Sequence, residues 1–141
     1  MSRLLVVSAL ILLVPGPISP AADPSAWRFP RPTRMASASC TDFSWVSDLP
    51  LCLETARLLE LAATGKFGLP KDRVHSWANG SSEEFLSWLK TLEEQGAPDA
   101  TLILYFVTHQ LNDGSFKFSK GSDLPAADFL DAVNRLARRY E

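Results

Sequence analysis

Apolar positions along this chain change spacing from one segment to the next, and the changes mark its elements. Leu102 to Val107 is an unbroken apolar run that ends in Thr108-His109-Gln110. Such a run reads as a strand buried on both faces, which places it in a parallel sheet. Before it, Phe85, Trp88, Leu89 and Leu92 recur at i, i+3, i+4 and i+7, the stripe of an amphipathic helix. Ser81 and Glu84 form a capping box at its start, and Gly96 and Pro98 stop it. Phe129, Val133, Leu136 and Tyr140 predict a further helix opened by Asp123 and Pro125, with Arg138 and Arg139 suiting its C-terminal dipole.

The earlier half of the chain carries weaker signals. Leu51, Thr55, Leu58 and Ala62 recur at helical spacing, with Asp48 as cap, Pro50 in the first turn, and Gly65 and Gly68 at the close. Arg73 to Trp77 reads as a short strand ended by Asn79-Gly80. Met35 to Cys40 has poor strand propensity, but the alternation requires a strand there. Asn112-Asp113-Gly114 predicts a turn, and Ser115 to Phe118 alternates like half of a hairpin. The order is strand, helix, strand, helix, strand, hairpin, helix. That order implies a three-layer α/β/α arrangement around a short, mostly parallel sheet.

Residues 1–21 read as a signal peptide: a basic Arg3, an apolar Leu4 to Val14, then Pro15 and Pro17, with cleavage expected after Ala21. The apolar stretch is shorter than a bilayer span, so the expected product is secreted or periplasmic, with no membrane attachment after cleavage. Residues 22–34, rich in proline and arginine, read as an extended leader that lies along the domain through Trp27 and Phe29. Residues 35–141 are then one small domain. Asn79-Gly80-Ser81 is a glycosylation acceptor if exposed in a eukaryotic secretory route, and otherwise a turn.

The formal net charge is −2, and no basic stripe interleaves with aromatics, which excludes a nucleic-acid partner. Cys40 and Cys52 are the two cysteines, and an oxidising compartment leaves open whether they pair. They have no C-x-x-C spacing or histidine companion, so neither a metal nor a cofactor is expected. His75 falls within a strand and reads as a packed residue. His109 stands just beyond the carboxyl end of a parallel strand, where such sheets place their ligands and catalytic groups. A histidine there suits general acid/base work near neutral pH.

Four segments together resemble the amino-terminal half of the caspase-like cysteine peptidases, the clan that includes metacaspases, legumains and glycosylphosphatidylinositol transamidases. They are Leu49 to Ala56, Phe67 to Val74, Asp99 to His109, and Asp113 to Phe118 followed by Leu124 to Phe129. The last resembles the legumain-like branch most. The resemblance implies that His109 is the base or orienting histidine of a Cys-His dyad acting on a peptide or protein substrate. Gln110 replaces the glycine that follows the family's histidine, on the oxyanion and substrate rim. The family's cysteine ends a strand after the third helix, and neither Cys40 nor Cys52 matches that position.

The chain is therefore expected to be a divergent or truncated caspase-like domain, inactive alone, with a sheet edge open to a strand-supplying partner or a second copy. An active peptidase with a rearranged or borrowed cysteine is another reading. A third is a small exported α/β binding module without catalysis. The parallel sheet would also bring Cys40, at the end of the first strand, to the rim that carries His109, which makes Cys40 a second candidate nucleophile beside the buried or disulfide-paired readings.

Overall fold

A computed structural model describes residues 32–43, 50–98 and 100–140. The expected signal peptide, most of the leader, and the Asp48 cap lie outside the described residues. The elements are β1 (Thr33–Ser39), α1 (Pro50–Leu61), β2 (Val74–Ala78), α2 (Ser82–Glu94), β3 (Thr101–Val107) and α3 (Ala126–Ala137). The fold is α/β with an open sheet of three parallel strands in the order β2-β1-β3. Thr33 and Arg34, expected to end the leader, belong to β1 and pair with Thr101 and Leu102.

β1 is the weakest strand by propensity and yet the central one. Hydrogen bonding on both of its edges offsets the poor propensity of its Ala and Ser residues. Its two faces serve different cores. Ala36 and Ala38 are fully buried, and they admit Phe85, Leu89 and Leu92 of α2 and Phe129, Val133 and Leu136 of α3. Met35 packs instead with Ala63 and Leu69 in a smaller cluster below α1.

β3 departs from its reading as a strand buried on both faces. It lies at the sheet edge. Leu102, Leu104 and Phe106 are buried, whereas Thr101, Ile103 and Tyr105 are half-buried. Among the described residues α1 packs on β1, and Ile103 and Tyr105 on the α1 side of β3 stay half-buried.

α1 forms as its spacing predicts, but with its inner face one residue further on. Ala56 and Ala63 are buried and Cys52 and Leu59 half-buried, while Leu51 and Leu58 are 79% and 63% exposed. The alanines let the helix backbone approach the sheet, and the longer leucines project away. The helix runs into a π-helical turn, Ala62–Lys66, and Gly68 closes it at φ +65°, a conformation that costs glycine little.

The capping box of α2 is present in both halves. Ser81 Oγ accepts from the Glu84 N–H at 3.2 Å, and Glu84 Oε2 accepts from the Ser81 N–H at 2.8 Å. α3 buries its whole expected stripe, and the Tyr140 hydroxyl donates to the Leu92 carbonyl at 3.1 Å, joining the two helices. Asp123 does not cap α3. Its Oδ1 lies 2.9 Å from Lys117 Nζ, close as charges but without the alignment of a hydrogen bond, and Pro125 occupies the cap position. Cys40 and Cys52 are free thiols.

Candidate functional site

Parallel strands deliver their carboxyl ends to one rim, and here that rim gathers Cys40 to Phe43 after β1, Asn79-Gly80 after β2, and Thr108 to Gln110 after β3. Each exit is pinned. Backbone hydrogen bonds continue past the strands, from the Cys40 N–H to the Val107 carbonyl at 3.0 Å and from the Asn79 N–H to the Ser39 carbonyl at 3.1 Å.

Asn79 is the hinge of this rim. Its φ is +53°, which asparagine tolerates better than most side chains. Its Oδ1 accepts from the Thr41 N–H at 2.8 Å, the Asp42 N–H at 3.2 Å, and the Thr41 and Ser119 hydroxyls at 3.3 Å each. One carboxamide oxygen thereby ties the exits of β1 and β2 to the segment after the hairpin. The Asn79-Gly80-Ser81 triplet thus works as the turn between β2 and α2.

His109 is 8% exposed, so its ring is more enclosed than its position beyond the strand suggests. Phe43 packs edge-on against it, with ring centroids 4.7 Å apart at 61°. Its carbonyl accepts from the Lys117 N–H at 2.8 Å, the first rung of the expected hairpin. The next rung is the Leu111 N–H to the Ser115 carbonyl at 2.8 Å, and Gly114 turns between them at φ +86°. Asp113 Oδ1 accepts from the Ser115 N–H and hydroxyl at 3.0 and 2.6 Å, which holds the Asp113 carboxyl below its ordinary range. Thr108 Oγ1 donates to the Lys117 carbonyl and locks the residue before the histidine. The backbone of His109 is thus fixed from both sides.

Gln110 is exposed and bridges antiparallel to Phe116; its Nε2 donates to the Gly114 carbonyl at 3.4 Å. The side chain folds back over the turn.

Cys40 shares the rim but is fully buried among core side chains. Burial pushes its thiol up from the ordinary value. Hydrogen bonds from Ser119, Gly80 and Asn79 oppose that shift and lose. This surrounding disfavours the thiolate that nucleophilic attack requires. Cys52 lies on α1, and its thiol is also pushed up by burial.

His75 lies against Arg34, whose Nη1 is 3.3 Å from His75 Nε2. Burial first and the Arg34 charge second lower its pKa, with Asp72 opposing.

Sequence reading singled out His109, Gln110 and Cys40 but missed Phe43 and the bonding role of Asn79. The Asn-Gly pair signalled a turn. Nothing local signalled which groups its carboxamide would collect.

Among the described residues no cluster of three or more His, Cys, Asp and Glu side chains is placed to hold a metal, and no helix is long and apolar enough to cross a membrane. No protein-family model, curated protein or solved structure matches the chain.

Proposed function

We propose that this chain carries the histidine-bearing part of a divergent caspase- or legumain-like cysteine-peptidase domain, layered α/β/α, and that it does not cleave peptides by itself. The observation that carries the reading is the placement of β1 between β2 and β3, all parallel, with His109 just past the tip of β3 and a hairpin and α3 following. In this reading His109 is the base or orienting histidine. A thiolate would add to the scissile carbonyl carbon, and the imidazolium would return a proton to the leaving amine.

Neither thiol of the chain suits that role. Cys40 is buried and held protonated, and Cys52 sits on a helix. The outer edge of β3, unpaired among the described residues, is where a strand bringing a thiolate beside His109 would dock, supplied by a partner protein or by a second copy. A small exported binding module is the second reading. It is favoured by Gln110 lying over the hairpin turn and by the high Cys40 pKa.

Incubation of the purified chain with pooled peptides containing Asp, Asn, Arg and Lys tests the reading. No cleavage is expected. Cleavage that disappears in His109→Ala would overturn the claim that the chain is inactive alone.

A further inference from the structure

One hollow of the described structure lies away from His109. It is an open hollow of about 680 Å³ between α1 and the sheet, over the α1 side of β1 and the exposed Ser76 and Ala78 of β2. Its floor is made by small polar residues, the buried Ser37 and Ser39 of β1 and the exposed Ser76 of β2. α1 contributes Ala56 opposite them, so the space stays open.

Two features give this space a chemistry. Ser37 Oγ donates to Glu60 Oε1 at 2.7 Å, which draws that carboxylate inward. Ser39 is only 1% exposed, lines the cavity, and makes no side-chain hydrogen bond among the described residues. Its hydroxyl opens onto the hollow and is available to accept from a bound group that offers a donor. The charged residues on the lining are the carboxylates Asp42, Glu54 and Glu60 against the single guanidinium of Arg57. Arg57 forms no salt bridge among the described residues, so the excess of negative charge is not neutralised internally. Leu53, Ala56 and Ala78 add methyl surface beside these groups.

We propose that this cavity is a binding site for a small organic cation, an alkylguanidinium or alkylammonium. Its head donates to Glu60 and to the Ser39 hydroxyl, and its aliphatic stem lies on Ala56 and Ala78. The volume matches that of ordinary small-molecule sites. A free anion is disfavoured by the three carboxylates, and an apolar ligand would leave Ser39 without a partner. The site uses neither His109 nor a thiol, so it stands apart from the peptidase reading.

Calorimetric titration of the purified chain tests the proposal, with agmatine and cadaverine as cationic probes and glutarate as the anionic control. Saturable binding of one or both cations is expected, and none of glutarate. Glu60→Gln keeps the acceptor for Ser37 but removes the charge, and it should weaken binding by about tenfold or more. Ser39→Val should weaken it similarly by filling the floor. Arg135→Ala, on α3, should leave it unchanged. If circular dichroism shows that Glu60→Gln has lost its fold, Glu54→Gln, an exposed carboxylate that also lines the hollow, serves in its place. Absence of saturable cation binding up to about 10 mM, equal binding of glutarate, or binding indifferent to the carboxylate and Ser39 variants would overturn the proposal.

Discussion

Asn79 Oδ1 takes the backbone N–H of Thr41 at 2.8 Å while its own backbone stands at φ +53°. Thr41 and Asp42 lead directly into Phe43, which packs on His109. Asn79→Ala removes the acceptor for two backbone N–H groups and retains an unfavourable φ. It should cost about 1–3 kcal/mol in urea unfolding. Asn79→Gly relieves the backbone and should cost less than Asn79→Ala, yet both should shift the His109 ring resonances through the loosened Phe43. An Asn79→Ala protein of unchanged stability and unchanged His109 resonances would refute this linkage.

Cys40 should resist alkylation. Burial raises its pKa, so the thiol stays protonated where a free thiol of pKa about 8.5 is already ionising. Its folded pKa exceeds its unfolded one. The stability it contributes is therefore fully present below the unfolded pKa and is lost as pH rises through the folded one. Mass spectrometry after iodoacetamide treatment should show Cys40 modified only once the chain is unfolded, with the same profile in His109→Ala. Rapid native labelling that depends on His109 would restore Cys40 as a nucleophile.

His75 should make the fold sensitive to acid. Burial and Arg34 lower its folded pKa below the unfolded value of about 6.5. Between those two values the unfolded chain binds more protons, so stability rises with pH through that window and is complete above it. Thermal melts from pH 7.5 down to 5 should show a loss of stability that His75→Gln reduces. Equal pH slopes for the two proteins would exclude the histidine as the cause.

Gly80 is required by its neighbours. A Cβ there would lie 2.3 Å from Glu84 Oε2 and 2.7 Å from the Trp77 ring. Gly80→Ala should push Glu84 out of the capping box and destabilise α2, by about 1 kcal/mol for the cap alone. Phe85→Ala, at the centre of a ring cluster with Phe106 at 5.0 Å and Trp77 and Phe118 at 5.3 Å, should cost about 3–5 kcal/mol. Denaturant midpoints in the reverse order would show that the aromatic cluster is not the main core.

The edge of β3, open among the described residues, should make the chain associate. Ile103 and Tyr105 are half-buried on the face beside that edge. Light scattering should report a mass that grows with concentration, and Ile103→Lys should suppress the growth, since a charge beside an edge strand opposes pairing. A monomer across the whole concentration range would show that the edge is protected.

Caps, turns and amphipathic periods depend on neighbours only a few residues apart, and these were legible from the chain alone. Ser81 and Glu84 announce α2, and Phe85, Leu89 and Leu92 announce its buried face. Phe129 through Tyr140 announce α3, and Asn112 to Gly114 the turn after His109. The α/β class followed from their order. Tertiary structure decided what depends on distant partners. It made the Ala- and Ser-rich β1 the central strand, because both of its edges found hydrogen bonds that propensity does not count. It left Ile103 and Tyr105 of β3 half-buried despite the apolar run, and it turned α1 so that Ala56, not Leu58, meets the sheet. At the rim, the sequence placed His109 at the end of its strand. The edge of Phe43, the carboxamide of Asn79 and the burial of Cys40 became defined only when three strand exits met, because each is a contact between residues far apart in the chain.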